Sequence, residues 1–248
     1  MHGKVVSPLV SIIVNYCEKE STIFDVIASL EDQSWSRCSM EQTETIIIDD
    51  GTEGEDTRHK LPDYVTYLWQ RKNGYGIARA KNTGAKLANG RYLLFMDADV
   101  VVSRHFIDAM LEGFTVHGDH ILQSGYIWDY FFTGSPDPRT EFGVWENPDG
   151  PTRRFYQVAG AAMAIAKNVF RRTPGFDESL IFGGVEDLLF GYLYGQLPDA
   201  AVFFNRKMEC WHIPHAPSLA HADPARSWEI VRQKYPDFYQ HYIVEGLR

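Results

Sequence analysis

Cysteine, positive charge and long apolar runs are all scarce in this chain of 248 residues. Its three cysteines, Cys17, Cys38 and Cys210, are far apart and form no C-x-x-C pattern, so the sequence indicates neither a disulfide framework nor a zinc site. Such sparse cysteine favours a reducing, cytoplasmic location. The formal net charge of -9 argues against binding to nucleic acid, because the phosphate backbone attracts proteins that carry a positive field.

No segment reaches the roughly 18 apolar residues of a membrane-spanning helix, and the N-terminus lacks the pattern of a cleaved signal peptide. We therefore predict no membrane span. What the chain has instead is a large share of hydrophobic residues, 44%, which is enough for the core of one large α/β domain.

Short strand-like runs alternate with helical patterns in the first half of the chain. The predicted strands are Leu9–Val14, Thr45–Ile48, Val65–Trp69 and Tyr92–Met96. Helices are predicted to begin at Ser21 and at Ile77, the second of them ending at a Gly90 C-cap. Strands separated by helices predict a doubly wound, mostly parallel sheet.

The second half is less regular. Residues Phe132–Thr152 are rich in proline, glycine and polar residues, and they predict a long loop. A buried strand is predicted over Tyr156–Ala166, a short helix and turn over Asn168–Leu180, and an amphipathic helix from Glu186.

Aspartates end two of the predicted strands. In GRYLLFMDADV, Asp97 and Asp99 project to the same side if extended geometry persists, and a divalent metal is the simplest compensation for two adjacent anions. Asp49 and Asp50 end the second strand, and ligands bind beyond the carboxyl ends of such strands. The alternatives are that Asp97 and Asp99 merely cap a loop or helix, and that Asp49 and Asp50 belong to an ordinary turn.

Three further groups carry possible chemistry. Arg79, one helical turn after a glycine-containing loop, fits either a phosphate ligand or a solvated helix face. Glu186 and Asp187 begin a predicted helix, where they fit either a general base or ordinary helix capping. His212 and His215 fit either metal ligands or histidines of the core or surface.

Taken together and in order, these segments resemble glycosyltransferase family 2 of the GT-A fold over nearly the whole chain. The resemblance rests on the segments VSIIVNYCEKE, TIIIDDGT, NGYGIARAKNTGAKLANGRYLLFMDADV and VAGAAMAIAKNVFRRTPGFDESLIFGGVEDLLFGYLYG. The chain is similar also to the chondroitin-polymerase and β-galactosyltransferase branches, which share a GGxEDxxFGY segment and a downstream histidine. It departs from the family at Asn15, where a proline is usual, and at Leu189, where the frequent EDxD pattern has its second aspartate.

The resemblance implies a single GT-A domain over residues 1–248, with a nucleotide-binding half at 1–118 and a smaller, irregular acceptor-binding half at 119–248. It implies a metal-dependent, inverting transfer of a sugar from a nucleotide-diphosphate donor, expected to be a UDP-sugar, to a carbohydrate or a glycosylated small molecule. Donor contacts are implied for Asn15, Tyr16, Asp49, Asp50, Arg79, Asp97 and Ala98. In this set Asp50 is expected to contact uracil, Asp97 the ribose or a metal-bound water, and Arg79 the base or phosphates.

The implied cofactor is Mn²⁺ or Mg²⁺, with Asp99 and His212 as its ligands and His215 as the alternative histidine. Asp187 is implied as the general base, with Glu186 beside it as the second catalytic acid. These roles come from the resemblance, since spacing alone does not separate Asp187 from Glu186.

Two other function classes fit part of the pattern. A sugar-nucleotide pyrophosphorylase shares the sheet and the metal, but it is expected to have a basic, glycine-rich loop where this chain has Asn15–Glu18. A non-catalytic sugar- or nucleotide-binding module does not need the acidic set. The sequence specifies neither the donor sugar, nor the acceptor, nor the oligomeric state.

Overall fold

Four strands from the first half form a parallel sheet. In the computed structural model, which describes residues 7–53, 57–129, 135–136, 150–153, 155, 158–213 and 223–244, they are β1 (Val10–Tyr16), β2 (Thr43–Asp49), β3 (Val65–Trp69) and β4 (Tyr92–Asp97). Their order is β3-β2-β1-β4, and all neighbours are parallel. Every residue of β1 is buried, which explains why its sequence is a nearly continuous apolar run rather than an alternating one.

Three helices lie in the described part of the first half of the chain. They are α1 (Glu20–Glu31), α2 (Ile77–Leu87) and α3 (Phe106–His117). Helix α2 packs on β1 and β2, and α1 buries one apolar stripe at helical spacing.

The second half extends the same sheet with mixed strand directions. The remaining strands are β5 (Val100–Val102), which still belongs to the first half, and β6 (Ile121–Asp129), β7 (Ser135–Pro136), β8 (Ala162–Ala166) and β9 (Ala201–His212). The full order is β3-β2-β1-β4-β8-β6-β9-β5, with β7 on β6. Strand β8 is antiparallel to β4 and β6, whereas β6 and β9 are parallel. The predicted α/β class with a doubly wound sheet is confirmed, and its continuous parallel part lies in β1–β4.

The remaining helices lie in the second half. They are α4 (Lys167–Phe170), α5 (Glu186–Tyr194), α6 (Pro224–Lys234) and α7 (Pro236–Tyr239), followed by a π-helical turn at Gln240–Val244. Two 3-10 turns lie among the described residues of the first half, at Met40–Gln42 and Thr57–Lys60. Helices α5, α6 and α7 share a second hydrophobic cluster. Among the helices that the structure describes, none has the length and apolar character needed to cross a membrane.

Several predicted boundaries need correction. Helix α1 begins at Glu20 rather than Ser21, and β8 begins at Ala162, later than predicted. Gly90 is not the C-cap of α2, which ends at Leu87. The backbone N–H of Gly90 instead donates to Ser11 Oγ at 2.8 Å, and a Cβ at this position would lie 2.6 Å from the Ser11 nitrogen, so the glycine permits close approach to β1.

The predicted loop Phe132–Thr152 lies mostly outside the described residues. Within it, Ser135–Pro136 form β7, and Thr152 makes an antiparallel bridge to Val202 of β9. The second half is therefore tied into the sheet at more points than its sequence pattern indicates.

Candidate active site

A cavity opens at the carboxyl ends of β1, β2 and β4, the edge at which the sequence places its acidic residues. It is lined by residues 15–19 at and after the end of β1, by Asp50, by residues 97–99, and by the start of α2 with the loop before it. Asn15, Tyr16, Asp50, Asp97, Ala98 and Asp99 from the predicted set all line it. This placement follows from parallel strands, whose carboxyl ends meet at one edge.

Asp97, Asp99 and His212 form a cluster at one end of this cavity. Each offers a ligand atom, and these atoms lie within 4.8 Å of one another. Asp97 ends β4, Asp99 lies in the turn that follows, and His212 ends β9, where it pairs with Val100 of β5. Extended geometry does not persist to Asp99, yet the turn keeps both carboxylates together. Two carboxylates and one imidazole at these distances could hold a metal ion.

His215, the alternative metal ligand, lies outside the described residues. Within the described residues, the cluster contains His212, which stands directly after Trp211 and is the histidine that the resemblance favoured.

Two lysines that sequence reasoning did not assign also line the cavity. Lys19 Nζ lies 3.1 Å from Asp99 Oδ2, and Lys72 Nζ lies 3.6 Å from Glu18. Burial raises the pKa of the neighbouring Cys17 thiol, although the positive charge of Lys72 opposes this. The two ammonium groups bring positive charge to a cavity whose wall is otherwise acidic. Their sequence signal is weak, because isolated lysines after a strand are usually solvated.

Asp50 is a buried carboxylate held by three donors. Its oxygens accept hydrogen bonds from Gly76 N, Gln70 Nε2 and Arg79 Nη2, each at 2.8 Å. A Cβ at residue 76 would lie 2.1 Å from Asp50 Oδ2, so only glycine fits there. Arg79 does not line the cavity; it contacts Asp50 and the Arg71 carbonyl instead, which differs from its expected place on the base or phosphates.

Asp49 and Tyr16 make structural contacts. The Asp49 carboxylate accepts hydrogen bonds from Thr52 N at 2.8 Å and from the Tyr67 hydroxyl, and Asp49 does not line the cavity. The Tyr16 hydroxyl lies 2.9 Å from Thr57 Oγ1, and burial raises its pKa. Asp49, for which the resemblance implies a donor contact, is therefore held by contacts within the chain.

Asn15 sits beside Asp97 on the neighbouring strand. The two residues are register partners, and Asn15 Nδ2 donates to Asp97 Oδ1 at 3.0 Å. The other amide atom, Oδ1, is buried and has no hydrogen-bond partner in the part of the chain that the structure describes. A buried acceptor of this kind is uncommon in folded proteins.

Glu186 and Asp187 begin helix α5, as predicted. Neither lines the cavity, but Asp97 and Asp187 both repel the Glu186 carboxylate. Burial and this repulsion raise the pKa of Glu186, while Lys81, with Nζ 3.6 Å from Glu186 Oε1, opposes the rise. Asp187 is less buried, and its Oδ2 accepts a hydrogen bond from Gly160 N at 2.9 Å.

Tyr75 joins the cavity to helix α5. Burial raises the pKa of Tyr75, and the charges of Asp97 and Glu186 add to this rise. Its backbone N–H donates to the Ile181 carbonyl at 2.6 Å, and its ring packs against Gly183, which has a φ of +76°. The loop before α2 and the loop before α5 therefore touch at this residue.

Curated relatives give the first comparison with known proteins. The chain is 22% identical over 209 residues to polypeptide N-acetylgalactosaminyltransferase 11 of Xenopus tropicalis, covering 73% of this chain and 34% of the relative. It is 25% identical over 209 residues to inactive polypeptide N-acetylgalactosaminyltransferase-like protein 5 of Mus musculus, covering 73% of this chain and 47% of the relative. The chain thus spans less than half of either relative.

Solved structures share the fold. GalNAc-T7 with UDP, GalNAc and Mn²⁺ superimposes with a TM-score of 0.69 at 17% identity, covering 94% of this chain and 50% of that one. TarS 1–349 of S. aureus in complex with UDP gives a TM-score of 0.68 at 17% identity, covering 97% of this chain and 67% of that one. These likenesses place the chain among GT-A structures.

The family itself is established by sequence. The sequence model of the family Glycosyl transferase family 2 matches residues 11–180, more than half of the chain. This span begins in β1, contains the Asp50 and Asp97–Asp99 edge of the sheet, and ends just before the loop that leads to α5. With the sheet, the acidic edge and the matched sequence in agreement, the chain belongs to glycosyltransferase family 2.

Proposed function

We propose that this chain is a metal-dependent, inverting glycosyltransferase that moves a sugar from a UDP-sugar to a hydroxyl of a carbohydrate or glycosylated small molecule. The observation that carries the proposal is the Asp97, Asp99 and His212 cluster at the end of a cavity that also contains Asp50. Two GT-A neighbours were solved with UDP, and one of them, GalNAc-T7, also with Mn²⁺. A nucleotide diphosphate and a divalent cation have complementary charges, which suits this cavity.

Different residues of the chain would bind different parts of the donor. Asp99 and His212, with Asp97, would hold Mn²⁺ or Mg²⁺, which when bound supplies Lewis-acid stabilisation of the diphosphate leaving group. Lys19 and Lys72 add fixed positive charge on the same wall, which favours a diphosphate further.

Asp50 marks the uracil end of the cavity. Its carboxylate is positioned by Gly76, Gln70 and Arg79, so its orientation is set before any ligand arrives. A carboxylate is a pure acceptor and suits the N3–H of uracil. Arg79 therefore acts through Asp50 as a positioning residue.

Asp187 is the proposed general base. It accepts the proton of the acceptor hydroxyl while that oxygen attacks the anomeric carbon opposite the leaving UDP, so the bond to UDP breaks as the new glycosidic bond forms. The configuration at the anomeric carbon inverts. Glu186 does not compete well for this role, because its carboxylate is directed at Lys81.

A non-catalytic nucleotide-binding module is the second candidate, and a specific observation favours it. One relative is named as inactive although it matches 73% of this chain. Binding and turnover must therefore be measured separately. A pyrophosphorylase is disfavoured, because residues 17–19 after β1 are Cys, Glu and Lys and include no glycine.

The test combines calorimetry with a donor screen. UDP is titrated into the protein with and without Mn²⁺, and a panel of UDP-sugars is scored for hydrolysis and transfer. We expect UDP binding to require Mn²⁺. Asp99→Asn and His212→Ala should each weaken Mn²⁺ binding by about 10-fold to 100-fold and should abolish turnover. Asp199→Asn, which changes an exposed acid paired with Arg172, is the matched control.

Each outcome separates the candidates. Metal-dependent UDP binding with no turnover of any UDP-sugar supports the binding module. Full activity of Asp99→Asn in the presence of a chelator would refute the metal assignment.

A further inference from the structure

The side-chain oxygen of Asn15 is buried and has no hydrogen-bond partner among the described residues. Asn15 is 8% exposed and lines the cavity. Its orientation is fixed chemically, because the Asp97 carboxylate only accepts hydrogen bonds and therefore faces the amide nitrogen. Oδ1 must then face away from Asp97, as a buried acceptor with no partner among the described residues. Because Asn15 lines the cavity, a ligand that enters the cavity is a candidate for the missing hydrogen-bond donor.

The position of Asn15 along the sheet edge indicates which part of a ligand reaches it. The edge runs from β2 through β1 to β4, and Asn15 lies near the end of the middle strand. Asp50 follows β2 on one side, with its N–H bonded to the Tyr16 carbonyl, and Asp97 ends β4 on the other side. Adjacent strands are about 4.8 Å apart, so the three strand ends form a row of about 10 Å.

A nucleoside diphosphate is itself a row of three groups: base, ribose and diphosphate. We propose that Asn15 Oδ1 accepts a hydrogen bond from a ribose hydroxyl of the donor nucleotide. The inference rests on the proposed function, which puts uracil beside Asp50 and the diphosphate beside Asp99. The ribose joins these two groups and therefore lies at the end of β1. Its 2′- and 3′-hydroxyls are the donors available there.

The family resemblance already implies a donor contact at this position, but the hydrogen-bonding side chain is particular to this chain. The family resemblance gives a proline at this position, and a proline side chain has no hydrogen-bonding atom. Asn15 therefore makes ribose recognition depend on a side chain. A nucleotide that lacks the correct hydroxyl leaves a buried acceptor unpaired, which costs more than the loss of an exposed hydrogen bond.

The experiment compares UDP with 2′-deoxy-UDP and 3′-deoxy-UDP by calorimetry in the presence of Mn²⁺. We expect the unmodified protein to bind at least one deoxy analogue about 10-fold more weakly than UDP. In Asn15→Leu, UDP affinity should fall to that of the analogue, so the ratio approaches one. The ratio is the readout, because general weakening through Asp97 affects all three nucleotides alike. Asn15→Ala provides a second variant if the leucine does not fit.

Asn205→Ala is the matched control. Asn205 is also a buried asparagine, but its Nδ2 donates to Ala109 O and Gln123 Oε1, away from the cavity. We expect this variant to lose stability and to keep the full discrimination against the deoxy analogue.

The failures are distinguishable. If the unmodified protein does not bind UDP with Mn²⁺, the proposed function fails and the inference fails with it. If UDP binds but discrimination is absent, or is unchanged in both Asn15 variants, only the ribose contact is wrong. If Asn15→Leu instead removes discrimination against 3-methyl-UDP, the amide contacts the base and the inference is overturned.

Discussion

Lys81 is a charged side chain that the fold buries almost completely. It is 1% exposed, its Nζ lies 3.6 Å from Glu186 Oε1, and it lies 5.4 Å from the centre of the Phe176 ring. A Cβ at residue 160 would lie 2.7 Å from this Nζ, so Gly160 leaves the space for it. Burial of an ammonium group is costly unless a partner compensates it, and Glu186 is that partner. Sequence reasoning missed this pair because a lysine in a helix is usually solvated.

Replacing Lys81 by methionine should therefore be strongly destabilising. The change keeps the length of the side chain but leaves the buried Glu186 carboxylate uncompensated, which should cost about 3 kcal/mol of unfolding free energy. Urea unfolding at pH 7 measures it, with Lys86→Met as the control because Lys86 is exposed on the same helix. Adding Glu186→Gln to Lys81→Met should recover part of the loss. Equal stability of Lys81→Met and Lys86→Met would contradict the role of Lys81.

At the scale of elements, the two adjacent acids at the start of α5 point in different directions and make different contacts. Val185 has the left-handed φ of +64° and turns the chain into the helix. Glu186 and Asp187 follow, and consecutive helical residues point about 100° apart. Glu186 faces Lys81, whereas Asp187 is the more exposed of the two and is held by Gly160 N. Because Asp187 is the more exposed acid and is not paired with Lys81, it is our choice for the proposed base.

Asp187→Asn should separate catalysis from binding. The change keeps the size of the side chain but removes the proton acceptor, so turnover should fall by roughly 10²–10⁴-fold while UDP affinity stays nearly constant. Glu186→Gln should be milder on turnover. Transfer kinetics with the donor found in the screen measure both, alongside UDP titration. A normal rate for Asp187→Asn together with an inactive Glu186→Gln would reverse the two roles.

The strand ends show what the sequence predicts and where it stops. Asp50, Asp97 and Asp99 meet as predicted, because each follows an apolar strand and parallel strands end at one edge. His212 reaches the same place through β9, whose pairing with β5 joins residues far apart in the chain. No local sequence pattern predicts the pairing of β9 with β5, so only the family resemblance indicated His212. The hydrogen-bond partners of Asn15 depend on the register between β1 and β4, which cannot be read from the sequence.

At the scale of the whole molecule, the C-terminal helices hold the segment that precedes the proposed base Asp187. Ser227 Oγ donates to the Gly183 carbonyl at 2.9 Å, just before α5. Asp177 accepts hydrogen bonds from Lys234 Nζ at 2.7 Å and from the Tyr235 hydroxyl at 2.9 Å. Helix α6 and the following Tyr235 therefore hold the segment between β8 and α5 at two points, Asp177 and Gly183, and the second hydrophobic cluster adds apolar contacts.

Asp177 should make this attachment dependent on pH. Burial alone would raise its pKa, but hydrogen bonds from Lys234, Ser179 and Tyr235 outweigh burial and lower the pKa below the ordinary 3.8. A lowered pKa in the folded state means that the stabilisation is present above pH 3.8 and is lost as the pH falls through the folded value. Asp177→Asn should cost about 2 kcal/mol at pH 7, and the difference from the unmodified protein should shrink steadily below pH 3.8.

Thermal unfolding across this pH range, combined with hydrogen exchange of residues 224–239, tests the prediction. We expect Asp177→Asn to speed exchange in α6 and α7 more than in β1–β4, because the lost bonds join the C-terminal helices to the rest of the chain. Asp63→Asn, at an exposed site before β3, should leave both measurements unchanged. A destabilisation that is the same at every pH, or that spreads evenly over the whole sheet, would show that Asp177 acts as an ordinary core contact and not as the fastening of the C-terminal helices.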